Sequence, residues 1–311
     1  LTGEEKISVQ EAKIVSMTIE LLNLDKQFNV AVIDEAQMLS DTRRGGAWTN
    51  AILGLAAKEI HICMAPEAEK LTCTLIEMCA NDTYEIHHYK RKIPLVCDEE
   101  IFHFPESVRK NDALIVFSKA KVIACAAELQ KKGIKCSVIY GSLPYETRHN
   151  EVKKFVNGET DIVVSTDAIG MGMNIPVERI VFLENNKYDG VVRRPLFPAE
   201  VKQIAGRAGR FGRYEKGYYN AEFGSFRVRE KMEREVLALK QASIDFPTRL
   251  LSVKGRLTEI INEWKNIKLS EIFWKQNLNT MWSLAKYCEN FTDDKKLVYR
   301  LATTPVDDKN D

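Results

Sequence analysis

The sequence predicts an α/β fold built on parallel sheets, and two observations support that prediction. Short apolar or β-branched runs alternate with amphipathic helical patterns, as expected when parallel strands are covered by helices on both faces. The chain has 311 residues, which is long enough for two domains with separate cores. We therefore expect two α/β units followed by a helical segment.

The predicted strands are short runs rich in Val, Ile and other apolar residues. They are FNVAVID (28–34), EIHICMA (59–65), ALIVFS (113–118), KCSVIYG (135–141), DIVVST (161–166) and RIVFLE (179–184). Amphipathic helical patterns fill residues 119–132, 145–157 and 199–211. After about residue 229 the patterns are helical only, and REKMEREVLALKQ and RLTEIINEWKNI are the clearest.

The stretch YKRKIPL (89–95) is polar, contains a proline and separates two such blocks, which favours a linker. We accordingly divide the chain into residues 1–92, 93–228 and 229–311. The first α/β unit is shorter than the second, and the third part is the helical segment.

Composition excludes some classes of function. No apolar run approaches the roughly 20 residues that a membrane span needs, so no membrane partner is expected. The formal net charge is only +1, so nucleic acid would have to follow a local path. Residues 187–231 offer one, with eleven Lys or Arg against five Asp or Glu. Seven scattered cysteines without a C-x-x-C pair favour a reducing compartment.

The stretch QIAGRAGRFG (203–212) places two arginines among glycines and alanines. Read as a helix, it carries Gln203, Arg207 and Arg210 on one stripe, and its small residues allow a close backbone approach on the other side. Arginine donates planar, bidentate hydrogen bonds to phosphate. The alternative is a Gly-rich turn with solvated arginines.

The stretch VAVIDEAQMLS (30–40) is an apolar strand that ends in Asp34 and Glu35. Ligands of open α/β sheets collect at the carboxyl ends of strands. There, Asp34 is suited to hold Mg²⁺, largely through water, and Glu35 to orient the water that attacks a γ-phosphate. The alternative is an acidic pair that caps the next helix. Carboxylates on the first unit and arginines on the second would together fit one nucleotide.

At this point the sequence resembles a superfamily-2 helicase. VIDEAQ resembles the Asp-Glu-x-x box, and ALIVFSK, VIYGSLP, STDAIGMGMNIP (165–176) and QIAGRAGR resemble motifs of the second RecA-like domain. LTGEE, GAWTNAILGLAAKEIHIC and YKRKIPL are similar to the suppressor-of-Var RNA helicases of the mitochondrial degradosome and their bacterial relatives, among the Ski-like helicases. The resemblance implies two RecA-like parallel-sheet domains, the first incomplete, followed by a helical C-terminal segment.

The resemblance also implies roles for particular residues. Asp34 and Glu35 would serve Mg²⁺–ATP and water activation, and Gln37 would couple that box to the second domain. Gln203, Arg207 and Arg210 would be the γ-phosphate sensor and arginine fingers, with Arg210 in the transition-state role. We call the stretch STDAIGMGMNIP (165–176) the glycine motif. Its residues that the resemblance implies to lie near the nucleotide are Asp167, Gly170, Gly172 and Asn174. The implied contacts to the nucleic-acid backbone are Thr2, Gly3, Thr18, Ser142 and Thr166, although ordinary capping also explains Thr18 and Thr166, and a turn explains YGSLP.

Two departures from the family pattern stand out. No G-x-x-x-x-G-K-[ST] phosphate loop occurs, so we expect that the sequence is truncated upstream and that this chain alone does not hydrolyse ATP. Met64 and Ala65 stand where most superfamily-2 helicases carry a small Ser/Thr-Ala-Thr motif.

The resulting hypothesis is an ATP- and Mg²⁺-dependent RNA helicase or translocase that acts on single-stranded or partly duplex RNA. A DNA helicase of the same superfamily, or an ATPase-inactive nucleic-acid-binding module, is the alternative. The resemblance suggests an exoribonuclease as partner and RNA degradation as the process. We expect the cytoplasm of a bacterium as the location, with the mitochondrial matrix as the alternative.

Overall fold

The computed structural model of the protein describes residues 12–80, 82–170 and 173–304. Within these ranges the strands are β1 (Gln27–Ile33), β2 (Ala56–Ile62), β3 (Leu95–Cys97), β4 (Asp112–Ile115), β5 (Cys136–Ile139), β6 (Ile162–Ser165), β7 (Arg179–Phe182), β8 (Asn186–Tyr188), β9 (Arg193–Pro195), β10 (Gly217–Ala221), β11 (Ala242–Ile244) and β12 (Phe273–Lys275). The α-helices are α1 (Gly45–Gly54), α2 (Glu69–Glu77), α3 (Lys119–Lys131), α4 (Tyr145–Val156), α5 (Pro198–Ala205), α6 (Ser225–Glu233), α7 (Leu257–Asn266), α8 (Asn279–Cys288) and α9 (Lys295–Thr303). The predicted α/β class is confirmed, and each predicted strand overlaps an observed one.

The chain forms two compact units. The first unit joins residues 1–86 with residues 237–311, and the second is residues 87–236. The division into three sequence segments stays a prediction. The stretch predicted as a linker (89–95) belongs to the second unit, where Leu95 begins β3.

The second unit is built on one parallel sheet with the strand order β3-β10-β7-β4-β6-β5. Strand β4 is buried along its whole length, and alternate residues enter different cores. Ile115 packs in a cluster with Val201 of α5, whereas Leu114 packs in a second cluster with Val122 of α3. Helices therefore cover both faces, which is why these strands read as nearly continuous apolar runs.

In the first unit, β1 and β2 form a parallel pair in which Val32 lies opposite His61. One face packs on helices, and there Ile33 and Trp48 share a buried cluster. The other face carries Val30 and Val32, which are 55% and 65% exposed. These two valines form an exposed apolar strip on that face of the strand pair.

The C-terminal segment of the first unit begins with a strand, which corrects the prediction of helices only. Strands β11 and β12 form a parallel pair, and Ala242 of β11 is fully buried in the cluster that contains Trp48. The helix predicted for residues 229–241 ends at Glu233, because the chain beyond it bonds to a distant segment. The N–H of Leu239 donates to the carbonyl oxygen of Glu67 at 2.8 Å.

Helices α7, α8 and α9 form a further core in the first unit. Its buried members include Leu257, Ile261, Trp264, Met281, Ala285 and Val298. The predicted helix 256–267 is confirmed as α7. In the described ranges, none of the helices has the length and apolar character needed to cross a bilayer.

Candidate functional site

The carboxylate pair lies at the carboxyl end of β1. Asp34 is exposed, and its Oδ1 accepts a hydrogen bond of 2.9 Å from the N–H of Glu35. The carbonyl oxygen of Asp34 accepts a second bond, of 2.8 Å, from Nε1 of the buried Trp48. The indole therefore fixes the backbone from which both carboxylates project. No pattern in the sequence indicated this contribution of Trp48.

Glu35 has an unusual backbone conformation. Its φ of 56° and ψ of 41° lie in the left-handed region, which a residue with a Cβ rarely adopts. Such strain costs on the order of 1–3 kcal/mol and clusters at functional sites. The Glu35 side chain makes no hydrogen bond that caps the following 3₁₀ turn (Ala36–Ser40), so the capping alternative gains no support at this residue.

Gln37 connects the ends of the two strands of the first unit. Its Nε2 donates to Oε2 of Glu35, and its Oε1 accepts a bond of 3.1 Å from the N–H of Ala65. Ala65 follows β2, and the link uses its backbone N–H rather than its side chain. The departure at Met64 and Ala65 therefore leaves this connection intact. The predicted role of Gln37 in coupling to the second domain stays a prediction.

The arginine motif is not one helical stripe, which corrects the helical interpretation of residues 203–212. Helix α5 ends at Ala205, so Gln203 is helical whereas Arg207 and Arg210 lie in the following loop. A helix could not run through to residue 211, because Gly209 has a φ of 69°. A Cβ at Gly209 would also lie only 2.4 Å from the backbone of Gly217. We call residues 206–210 the arginine loop.

The second unit brings several of the predicted residues together. Nε of Arg207 donates to the carbonyl oxygen of Gly170 at 2.9 Å, and Nη2 donates to the same oxygen. Gln203 is near, because its Cγ is 3.8 Å from where a Cβ of Gly170 would lie. The half-buried side chain of Arg210 makes no hydrogen bond or ion pair with any described residue. Arg210 is therefore the arginine of the loop with its donors available.

A groove of about 410 Å³ opens beside the arginine loop within the second unit. Its lining comes from residues 91–93, 173–175 and 206–211 and includes Asn174, Arg207 and Arg210. Phe211 is 67% exposed, and Nζ of Lys92 lies 4.9 Å from the centre of its ring. The groove is cationic and has one aromatic wall, a chemistry suited to phosphates and a base.

Asp167 is held by a lysine that the sequence analysis did not single out. Nζ of Lys187, in β8, lies 2.7 Å from Oδ2 of Asp167 and 3.0 Å from Oε1 of Glu200, in the first turn of α5. Burial would raise the pKa of Glu200, but hydrogen bonds from Arg194, the Phe197 N–H and Lys187 lower it to about 2. Lys187 thus ties the glycine motif to the helix that leads into the arginine loop.

The predicted backbone contacts have different surroundings. Thr166 is 8% exposed, and its Oγ1 accepts a bond of 3.3 Å from the N–H of Ala168, which fits the capping alternative. Thr18 is half-buried and precedes a short 3₁₀ turn (Ile19–Leu21). Ser142 is exposed in the loop after β5, and Nη2 of Arg148 braces that loop through the carbonyl of Leu143 at 2.8 Å. Thr2, Gly3 and Gly172 lie outside the described residues.

Comparison with known proteins identifies two helicase domains. The DEXQ-box helicase domain of Suv3 matches residues 1–89, which include the box Asp34-Glu35-Ala36-Gln37. The helicase conserved C-terminal domain matches residues 91–212, which include the arginine loop.

Three relatives have helicase names. The mitochondrial ATP-dependent RNA helicase SUV3 of Saccharomyces cerevisiae is 41% identical over 68% of this chain and 29% of that protein. The mitochondrial ATP-dependent RNA helicase SUPV3L1 of Homo sapiens is 38% identical over 70% of this chain and 29% of that protein. The mitochondrial DExH-box ATP-dependent RNA helicase DExH16 of Arabidopsis thaliana is 33% identical over 99% of this chain and 56% of that protein. The chain thus spans between about a third and about half of these relatives.

The relatives overturn the expected location. All three are named as mitochondrial, so the expectation of a bacterial cytoplasm is wrong. Free, scattered cysteines indicate a reducing compartment, a property that bacterial cytosol and mitochondrial matrix share. Composition therefore could not separate the two.

Proposed function

Because this chain belongs to the Suv3-type helicases of superfamily 2, we propose that the protein is an ATP-dependent RNA helicase or translocase. One observation carries the proposal. In the first unit Asp34 and Glu35 follow the carboxyl end of β1, and in the second unit Gly170 follows the carboxyl end of β6 and accepts a hydrogen bond from Arg207. In α/β proteins this edge of the sheet is where ligands bind.

Asp34 and Glu35 are the residues that serve Mg²⁺ and water. Asp34 is exposed, and its Oδ1 already accepts a hydrogen bond from the Glu35 N–H. Its carboxylate is therefore suited to Mg²⁺, which keeps most of its bound water and needs few protein ligands. Bound Mg²⁺ would neutralise charge on the β- and γ-phosphates. Glu35 orients the attacking water, and Gln37 holds the Glu35 carboxylate in place.

Arg210 supplies positive charge to the transition state, because its guanidinium has no partner among the described residues while that of Arg207 holds Gly170. Gln203 and Arg207 sense the γ-phosphate together with Asp167, Gly170, Gly172 and Asn174. ATP is accordingly the proposed nucleotide.

The proposed polymer is single-stranded or partly duplex RNA, held through its phosphate backbone. Thr2, Gly3, Thr18, Ser142 and Thr166 are the proposed contacts, which hold the strand without reading its sequence. The relatives are named RNA helicases, so a DNA helicase is the weaker alternative. Mitochondria, an exoribonuclease partner and a role in RNA degradation complete the proposal.

The first test is ATP hydrolysis with and without single-stranded RNA, by the full-length protein that carries this chain together with a phosphate-binding loop. RNA should stimulate hydrolysis. Arg210→Ala should lower turnover by about 10³-fold, the lower end of what an arginine finger contributes. Lys90→Ala is the control, since Lys90 is exposed and outside the site.

Two results would contradict the proposal. If Arg210→Ala weakened RNA binding as much as hydrolysis, the arginine would be part of a basic RNA path instead. If the wild-type protein hydrolysed no ATP but still bound RNA, the protein would be a nucleic-acid-binding module.

A further inference from the structure

Arg91 binds three backbone carbonyl groups with one guanidinium. Its Nε donates to the carbonyl oxygen of Ile93 at 2.6 Å, and its Nη1 donates to that of Gly206 at 2.6 Å. Its Nη2 donates to the carbonyl oxygen of Ala208. Two of these three acceptors belong to the arginine loop, about 115 residues further along the chain.

Two of the acceptors of Arg91 lie just beyond the carboxyl end of a helix. Helix α5 ends at Ala205, Gly206 is its C-cap residue and Ala208 lies two residues further on, so these two carbonyl groups stand outside the helical hydrogen-bond pattern. A cation at the carboxyl end of a helix is also favoured by the helix dipole. The guanidinium holds its donors in a rigid planar fork, so the single flexible ammonium group of a lysine at this position would not hold the three carbonyl groups in the same arrangement.

The opposite side of the arginine loop is held by the body of the second unit. The N–H of Gly209 donates to the carbonyl oxygen of Val177 at 3.0 Å, and Gly209 lies against Gly217. The guanidinium of Arg207 binds Gly170. Arg91 binds the loop from the other side, through the carbonyl groups of Gly206 and Ala208. Without Arg91, the backbone that leads to Arg210 would be held on one side only.

We infer that Arg91 is a positioning residue that fixes the arginine loop and thereby sets where Arg210 delivers its charge. This inference rests on the proposed function. The role inferred for Arg91 is structural, because each nitrogen of its guanidinium donates to a backbone carbonyl group, those of Ile93, Gly206 and Ala208. Its effect on turnover passes through Arg210.

The test is a double-mutant cycle in the full-length protein. Arg91→Ala should lower kcat of RNA-stimulated ATP hydrolysis by roughly 10- to 100-fold, because misplacing a catalytic group by about 1 Å has effects of that size. KM for ATP and the Kd for RNA should change by less than about twofold, since Arg91 makes no contact that binds ATP or RNA in the ground state. In the Arg210→Ala background, Arg91→Ala should lower kcat by less than about twofold. Arg91→Lys should recover little of the lost turnover, and Lys90→Ala should behave as the wild type.

Hydrogen exchange gives a readout that does not depend on activity. Arg91→Ala should increase exchange in peptides that cover residues 203–212, where the Gly209 N–H bonds to Val177. Lys90→Ala should leave those peptides unchanged. If Arg91→Ala fails to fold, Arg91→Lys undergoes the same exchange measurement and the same cycle.

Each contrary result has its own meaning. Equal losses of kcat in the wild-type and Arg210→Ala backgrounds would overturn the inference, and so would unchanged exchange over residues 203–212. A raised KM for ATP with unchanged kcat would instead make Arg91 a nucleotide ligand. A wild-type protein without RNA-stimulated hydrolysis would refute the proposed function, while the exchange result would still decide the role of Arg91 in the loop.

Discussion

At the scale of single residues, Arg179 shows how a buried charge is accommodated away from the site. It is 3% exposed, and its Nε and Nη2 lie 2.9 and 2.7 Å from the two carboxylate oxygens of Asp112. Its Nη1 lies 2.7 Å from Oδ2 of Asp98. Arg179 and Asp112 begin β7 and β4 and lie opposite each other, so this ion cluster occupies the amino end of these parallel strands. Removing one member would leave another charge buried without a partner, which is strongly destabilising.

Asp245 is a half-buried carboxyl group, and no cation among the described residues pairs with it. Its Oδ1 would be 2.1 Å from a Cβ at position 46, so the side chain packs against Gly46 at the start of α1. Burial, together with the negative charge of Glu20, raises the pKa of Asp245 to about 6, although a hydrogen bond with Gln276 opposes the shift. The folded protein therefore binds this proton more tightly than the unfolded chain does.

Asp245→Asn should stabilise the protein above pH 6. The ionised carboxylate lowers the free energy of unfolding there, and this penalty fades as the pH falls from about 6 to about 4, where the unfolded chain also takes up the proton. Allowing for partial solvent screening, the expected gain at pH 7 is about 1 kcal/mol. Urea denaturation from pH 4 to 8 measures it. Asp293→Asn, at an exposed position of the same unit, should show no such gain, and a gain for Asp245→Asn that persists at pH 4 would refute the explanation.

At the scale of elements, the arginine loop depends on two glycines that the sequence places eight residues apart. Gly209 and Gly217 approach so closely that a Cβ on Gly209 would lie 2.4 Å from Gly217 N and Cα. This contact, together with the φ of 69° at Gly209, prevents the helical pattern of residues 199–211 from forming one continuous helix. The close packing also brings the loop to the sheet strand β10, which begins at Gly217.

Gly209→Ala should therefore be much more harmful than Gly212→Ala. Both glycines have positive φ, 69° and 81°, but Gly212 has open space around it. Gly212→Ala should lower the free energy of unfolding by about 1 kcal/mol, the cost of the left-handed backbone alone. Gly209→Ala adds a backbone clash and should cost about 3 kcal/mol or more. Chemical denaturation compares the two, and equal costs would show that Gly217 does not constrain the loop.

At the scale of the whole molecule, the two ends of the sequence share one unit. Ala242 of β11 is fully buried in the same cluster as Ile33 and Trp48, next to the carboxylate pair. The second unit has its own sheet and its own cores. The division of the sequence into three parts remains a prediction. The contacts within the folded chain define two compact units.

Fragments test this grouping. Residues 87–236 should fold alone and melt cooperatively, because their six-stranded sheet is covered on both faces. Residues 12–86 should not melt cooperatively unless residues 237–304 are supplied, since β11 completes their core. Circular dichroism and hydrogen exchange of the separate and mixed fragments measure this. A sharp thermal transition of residues 12–86 alone would refute it.

Many residues of the candidate site could be proposed from the sequence, because they belong to short local patterns. The strand that ends in Asp34 and Glu35, and the glycine-arginine stretch, are each contained in about ten residues. The contributions of Trp48, Arg91 and Lys187 could not be predicted, since the partner of each lies in a different element of the fold and outside any local pattern. Arg91 in particular lay in the stretch predicted as a linker.

The sequence by itself determined the α/β class, the buried strands and the identity of the residues at the strand ends, because apolar periodicity and motif spacing are properties of neighbouring residues. Only the tertiary structure decided that α5 ends at Ala205, that Glu35 adopts a left-handed backbone and that the C-terminal segment completes the first unit. These features depend on contacts between residues distant in sequence, where close packing and unpaired carbonyl groups override local helical preference.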